Sequence, residues 1–227
     1  MQIDILQLTE GAREAKGTTV VIDVFRAFST ACYLIAAGVE KIIPVLHVEE
    51  AIRLKEQFPE AILLGERNEK KVPGFDFGNS PTHILDKDLH GKTVIMTTSS
   101  GTKGLMNAVD ANEILSGSFV NAGAIINYIR SANPHRVSLV CMGYEGHTPT
   151  QEDTFLAEYI KAKLLDEPVD FDSMKKILRT GDGARLLDPA NNEWSPASDF
   201  DLCLDLDRFD FILKVSTENG LKYLKKC

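Results

Sequence analysis

Four short stretches of this chain carry the residue types of acid, base and anion chemistry: "DVFRAF" (23–28), "GERNEKKVPGFDFGNSP" (65–81), "TTSSGTKG" (97–104) and "YEGHTPTQED" (144–153). In the first, Asp23 closes an apolar run, where a carboxylate is costly unless it is paired or bound to metal. Arg26 follows three residues later, so an Asp23–Arg26 ion pair or a helix cap is the plain alternative. In the second, Glu66 and Arg67 end another apolar run, and Asp76, Asn79 and Ser80 gather before Pro81. These supply oxygen ligands for a hard cation and a fork-shaped donor for an oxyanion, although "GNSP" alone would also serve as a turn. The third stretch sets Thr97, Thr98, Ser99 and Ser100 before Gly101 and Thr102. A helix cap needs one hydroxyl; four hydroxyls at a helix start make a cradle for phosphate or sulfonate. It is not a Walker loop, because G-x-x-x-x-G-K-[ST] is absent. The fourth places Glu152 and Asp153 in a first helical turn, which the helix dipole favours in any case. Brought together, the loops offer carboxylates for a divalent cation, arginines for an oxyanion and a nest of hydroxyls. Phosphate-ester chemistry uses that set.

The elements that must position these loops follow from the apolar periodicity. Strand-length runs alternate with helix-period segments: "TTVVIDV", "FRAFSTACYLIAAGV", "KIIPVL", "VEEAIRLKEQF", "AILLG", "KTVIMTT", "TKGLMNAV", "EILSGS", "VNAGAIINYIRSA", "RVSLVCMG" and "TQEDTFLAEYIKAKLL". The pattern predicts a three-layer α/β/α fold with a largely parallel or mixed central sheet. The polar turns then fall at the carboxyl ends of strands, where open α/β sheets bind ligands. Residues 17–56 can be laid on 91–130, matching Asp23 with Thr97, Arg26 with Ser100 and Val48 with Val120, so an internal duplication is one reading and generic α/β self-similarity the other. From about residue 168 no clear buried strand is seen. That tail reads as a helical extension, with Arg185 and the acidic run "DFDLCLDLD" on solvated faces.

The chain has 227 residues, 44% hydrophobic and 26% charged, which suits a single domain. A net charge of −8 argues against a nucleic-acid surface. No apolar run approaches the roughly 18 residues that span a bilayer, and "MQIDILQLTEGAREAKG" is not a signal peptide. A cytoplasmic protein is expected, with no membrane partner and a homodimer as its assembly. Cys32, Cys141, Cys203 and Cys227 are scattered and read as buried thiols. Cys141, at the end of an apolar run, also has an active-site reading.

"VVIDVFRA", "GER" followed by "GFDFGNSP", "TTSSGT", and "CMGYEG" followed by "ED" resemble, in this order, the family of 2-phosphosulfolactate phosphatases, over about residues 1–165. The resemblance implies a Mg²⁺-dependent acid phosphatase of α/β/α fold that cleaves (2R)-2-phospho-3-sulfolactate to 3-sulfolactate and phosphate, a step of coenzyme M biosynthesis. It implies Asp23, Arg26, Glu66, Arg67 and Asp76 as catalytic pocket residues, and Asn79, Ser80, Thr98, Gly101 and Thr102 as substrate-binding ones, to which the hydroxyl turn adds Ser99 and Ser100. Asp23, Asp76, Glu152 and Asp153 are the candidate metal ligands. The chain departs from the family pattern at Ser99 and Ser100, where T-T-T-N-G-T is usual, at Glu158, usually Gly, and in "NEKKVP". Neither D-x-D-x-T nor C-x₅-R is present, so a metal-oriented water and Asp23 itself both stand as nucleophile. Two other classes fit the loops: a non-catalytic binding domain for a small organic anion, and an isomerase or lyase using Glu66 or Asp153 as base.

Overall fold

A computed structural model describes all 227 residues. Its elements in chain order are β1 (Gln2–Gln7), α1 (Leu8–Glu14), β2 (Gly17–Ile22), α2 (Ala27–Ala36), β3 (Lys41–Pro44), α3 (Val48–Gln57), β4 (Ile62–Arg67), β5 (Lys70–Lys71) and β6 (Thr93–Thr97). There follow α4 (Gly101–Asn107), β7 (Ala111–Gly117), α5 (Ala122–Ala132), β8 (Arg136–Cys141), α6 (Gln151–Leu164), α7 (Phe171–Thr180), α8 (Ser198–Cys203), β9 (Leu213–Glu218) and β10 (Leu221–Lys226). All ten strands form one mixed sheet, ordered β1-β8-β2-β7-β9-β10-β3-β6-β4-β5. No helix is long and apolar enough to cross a membrane.

Strands covered on both faces must be apolar throughout, and their alternate side chains enter different cores. Val21, Val140, Met96, Leu64 and Ile42 face a core shared with α1, α2 and α4. On the other face, Val20, Ile22 and Leu139 pack under α5 and α6, while Ile43, Leu63 and Ile95 pack under α3. The chain is thus an α/β fold with helices on both faces. Helix α2 is buried from Ala27 to Ile35 and ends where Gly38 turns the chain at φ +96°, a conformation open to glycine.

The tail corrects the sequence reading. Helices α7 and α8 are present, but residues 213–226 form a hairpin at the centre of the sheet, not a helical extension. Its turn is Asn219–Gly220, both at positive φ, and "Asn-Gly" between alternating apolar residues is a strong hairpin signal. Half-exposed alternation in "LKVSTENGLKYLKK" hid a strand pair whose sheet neighbours lie far away in the sequence, on β7 and β3.

That hairpin decides where the strand ends go. Strand β9 runs antiparallel to β7, β10 antiparallel to β9, and β3 antiparallel to β10. The block β1, β8, β2, β7 therefore points opposite to β3, β6, β4. A flat sheet would put the carboxyl ends of the two blocks on opposite edges. Twist of roughly 20–25° per strand, accumulated over the five steps from β2 to β6, swings these edges together. The loop after β2 consequently meets the loop after β6.

At the opposite edge a polar cluster ties the hairpin to its neighbours: Glu113 accepts from Lys214 Nζ (2.6 Å), Tyr128 Oη (2.7 Å) and Thr18 Oγ1 (2.7 Å). Those donors outweigh the opposing effect of burial and hold its carboxyl below the ordinary range. A pKa below its unfolded value stabilises the fold at neutral pH, and the contribution disappears as pH falls through the folded value. Glu113→Ala should lower stability by about 1–3 kcal/mol at pH 7. In urea titrations its deficit relative to wild type should shrink in acid, below the usual carboxylate range.

Candidate active site

The crevice where the two blocks meet is lined by strand-end loops. Asp23, Phe25 and Arg26 come from the turn after β2, Glu66 and Glu69 from the β4–β5 hairpin, Ser99 and Ser100 from the turn after β6, and Gly143 to Glu145 from the loop after β8. Asn79 completes the wall.

Asp23 is 6% exposed and accepts from the Ala27 N–H (3.0 Å), with Gly101 packed close to its Oδ2. Gly101 is required by proximity: a Cβ there would stand 2.8 Å from Ala27 Cβ and 2.9 Å from Asp23 Oδ2. Burial, followed by the charges of Glu66 and Glu152, pushes the Asp23 carboxyl up to about 7. Asp153 is likewise held well above its ordinary range by burial and by Asp23. Both its oxygens are committed: the Val24 N–H donates to Oδ1 (2.9 Å) and the Gly143 N–H to Oδ2 (2.8 Å). One carboxylate therefore clamps the loops after β2 and β8.

Glu66 clamps a second pair. It accepts from the Ser99 N–H (2.6 Å), Ser99 Oγ (3.2 Å) and the Glu69 N–H (3.0 Å). Ser100 Oγ donates to the Gly143 carbonyl (2.8 Å), joining the loops after β6 and β8. Thr98 and Thr102 brace this turn from behind: the Thr102 N–H donates to Thr98 Oγ1, and Thr102 Oγ1 donates to the Thr98 carbonyl.

The arginines are already partnered. Arg26 Nη1 pairs with Asp199 Oδ2 at 2.7 Å and reaches the Trp194 carbonyl at 2.8 Å, with both charged side chains almost fully buried. Asp199 also accepts from Ser80 Oγ, the Thr82 N–H and Thr82 Oγ1. Arg185 bridges Glu69 (3.0 Å) and Glu152 (2.8 Å). Burial opposes its charge, yet the two carboxylates hold its pKa above the ordinary value.

Of the residues singled out from sequence, Asp23, Arg26, Glu66, Asn79, Ser99 and Ser100 line the crevice. Gly101, Thr98, Thr102, Ser80, Glu152 and Asp153 support it. Two lie elsewhere. Arg67 turns away to Thr97 Oγ1 and the Leu46 carbonyl. Asp76 accepts from the Leu63 N–H (2.8 Å) and lines a separate groove of about 850 Å³ with Lys70, Lys71, His83 and Trp194. That groove is larger but mixes exposed charges of both signs, whereas Asp23, Arg26, Glu66, Asn79 and Ser100 of the crevice are buried. Arg185 and Asp199, read from sequence as solvated, belong to this network instead, Arg185 half-buried and Asp199 fully buried. No local signal marks them, because their partners lie 33 to 173 residues away. Cys32, Cys141 and Cys203 are buried, while Cys227 is exposed, against expectation. Burial holds the Cys141 thiol well above its usual value, so it is no thiolate nucleophile.

A hard cation suits this donor set. Asp23 repels Glu66, Glu152 and Asp153 across a buried space, and Glu152 Oε2 has no hydrogen-bond partner. No three acids are placed to cage a metal ion, so a Mg²⁺ here would be held by one or two carboxylates, with water and phosphate oxygens completing its shell.

Fold, site and relatives together define an α/β enzyme of the phosphoric monoester hydrolase class. A family model described as 2-phosphosulpholactate phosphatase matches residues 3–218. The chain is 34% identical to a protein of Carboxydothermus hydrogenoformans, across 97% of this chain and 95% of that one, and 34% identical to one of Caldanaerobacter subterraneus subsp. tengcongensis, across 89% and 88%. It is 43% identical to a protein of Caldicellulosiruptor saccharolyticus, across 62% and 59%. Each of these is named "Probable 2-phosphosulfolactate phosphatase". The chain belongs to the 2-phosphosulpholactate phosphatase family.

Removing one partner of a buried ion pair strands the other, at a cost of about 3–5 kcal/mol. Asp199→Ala should therefore lower the urea midpoint sharply, although Asp199 does not line the crevice. An exposed acid on the same helix, Asp201, should be replaceable by Ala with little change.

Proposed function

We propose that the protein hydrolyses the phosphate monoester of a small anionic hydroxy acid, 2-phospho-3-sulfolactate, to 3-sulfolactate and phosphate in a Mg²⁺-dependent reaction. The observation that carries this reading is the burial of Asp23 among Glu66, Glu152 and Asp153, beside the hydroxyl turn 97–102. Family membership supports it.

Asp23 and Glu66, which line the crevice, are the proposed Mg²⁺ ligands, with the unpartnered oxygen of Glu152 behind them. The cation would supply Lewis-acid polarisation of the phosphoryl group. The protein's own groups do the rest. The Ala27 N–H fixes the Asp23 carboxylate and Gly101 lets the α4 turn pack against it, so it needs little reorganisation during the reaction. Ser99 and Ser100 sit at the start of α4, where amides and the helix dipole favour an anion. The Asn79 Oδ1 is buried without a partner in the wall. Its side chain is therefore available to a substrate hydroxyl or to a water on the phosphoryl group. Arg26 stays with Asp199 and contributes field more than a free fork.

Phosphate release from 2-phosphosulfolactate should require Mg²⁺ and stop in EDTA. Asp23→Asn should reduce kcat by roughly 10²–10³-fold, the scale of losing one preorganised electrostatic group. Mg²⁺ should raise the wild-type Tm and raise that of Asp23→Asn less. Near-normal turnover by Asp23→Asn would refute the assignment.

A further inference from the structure

The crevice is too small for the substrate proposed for it. Its volume of about 30 Å³ holds roughly two waters, whereas ligand pockets run to about 300–1,000 Å³. Part of its wall has to yield, and the way Arg185 is held indicates which part.

Arg185 lies between the rings of Phe25 (5.7 Å) and Tyr144 (5.9 Å), both lining the crevice. Its own segment is anchored. The Gln151 N–H donates to Asp182, the Asp182 N–H donates to Gln151, and Leu186 is buried. On one side Arg185 is held by Glu152, which is fixed on α6 and 2% exposed. On the other it is held by Glu69, which is 25% exposed and sits at the tip of the β4–β5 hairpin. Asn68 and Glu69 are both in the left-handed region there, and β5 is two residues long. The Glu69 main chain is held, its N–H on Glu66 (3.0 Å) and its carbonyl by Arg26 Nη2 (3.3 Å), but its side chain is the more exposed of the two partners and also lines the crevice. Arg26, the other nearby guanidinium, is 3% exposed and bound to Asp199 and to a carbonyl.

We infer that Arg185 is the substrate-anion receptor of this site, with Glu69 as an internal latch: an oxyanion of the substrate displaces the Glu69 carboxylate from Arg185, and the Glu69 side chain swings aside to make room. The exchange substitutes one anion for another on the same guanidinium. Glu152 keeps the fork oriented throughout, so its geometry is preset for bidentate contact. The class of ligand that fits is a small acid carrying phosphate or sulfonate. This inference rests on the phosphatase reading only for the identity of the substrate.

Inorganic phosphate, the product, tests the latch without turnover. Trp194 is the only tryptophan, and Lys70, beside Glu69, stacks over its ring at 4.4 Å, so release of the Glu69 side chain should change its fluorescence. Calorimetric titration should show phosphate binding to Glu69→Gln tighter than to wild type by roughly 3–10-fold, because a competing charge is gone. Arg185→Gln should bind it about tenfold more weakly. For 2-phosphosulfolactate, Glu69→Gln should lower KM more than it alters kcat. Equal or weaker phosphate binding by Glu69→Gln, or unchanged binding by a folded Arg185→Gln, overturns the inference. If the wild type binds phosphate as described yet releases none from 2-phosphosulfolactate, the substrate assignment fails and the latch stands.

Discussion

Four carboxylates buried within one crevice, with only two arginines near them, set the terms for everything around them. Asp23, Glu66, Glu152 and Asp153 are each 6% exposed or less. Burial of that much like charge is unfavourable unless donors surround it. Most of those donors are backbone N–H groups of the strand-end turns: Ala27 for Asp23, Val24 and Gly143 for Asp153, Ser99 and Glu69 for Glu66. Asp153 and Glu66 thus each join two loops that leave different strands. The charges that would conduct the chemistry also hold the loops in register. Losing one acid removes a reacting group and a structural clamp together, which is why conservative amide replacements are the informative ones.

The meeting of those loops depends in turn on the β9–β10 hairpin. By separating two parallel blocks with an antiparallel pair, it reverses one block against the other, and the twist of the intervening strands returns their carboxyl edges to a common crevice. The turn after β2 and the turn after β6 are then packed together, Gly101 of the second lying against Asp23 of the first. Glu113 and Lys214 do the corresponding work at the far edge, where the inserted hairpin is tied to β7 and β2 by a charge cluster rather than by a long ladder. Its ladders to β7 and β3 are short, two registered residue pairs and one.

Apolar runs made the strands and helices through residue 165 readable, since a strand buried on both faces has little freedom of composition. The strand-end loops were readable for the same reason: polar residues there interrupt runs that otherwise exclude them. What could not be read was commitment. Asp23 and Asp76 are the same residue type in similar settings, yet Asp76 spends its carboxylate on the Leu63 N–H and faces another groove. Arg67 and Arg26 differ in the same way. Arg185 and Asp199 sit in a tail of ordinary amphipathic character, and their burial arises from partners that only the folded chain brings near. The Asn219–Gly220 turn was legible by its type and was outweighed by the surrounding charge.

Position 100 shows how one departure from a family pattern is absorbed. Where the resembling turn has asparagine, Ser100 places its hydroxyl on the Gly143 carbonyl at 2.8 Å and is 7% exposed. A hydroxyl spent on that bridge has little left for a ligand beyond a lone pair, so the turn loses a side-chain N–H donor relative to an amide. An anion entering here must find its donors elsewhere: in the amides at the start of α4, in Asn79, and in a guanidinium that can be released. The wall opposite Ser100 is where this chain adds a long acidic hairpin tip, Glu69, bonded to Arg185. A turn poorer in donors and a guanidinium held by a displaceable carboxylate act in the same direction: both raise the share of anion recognition that falls to Arg185. The specificity of this family member is then set less by the hydroxyl turn than by the balance between one arginine and the acid that occupies it.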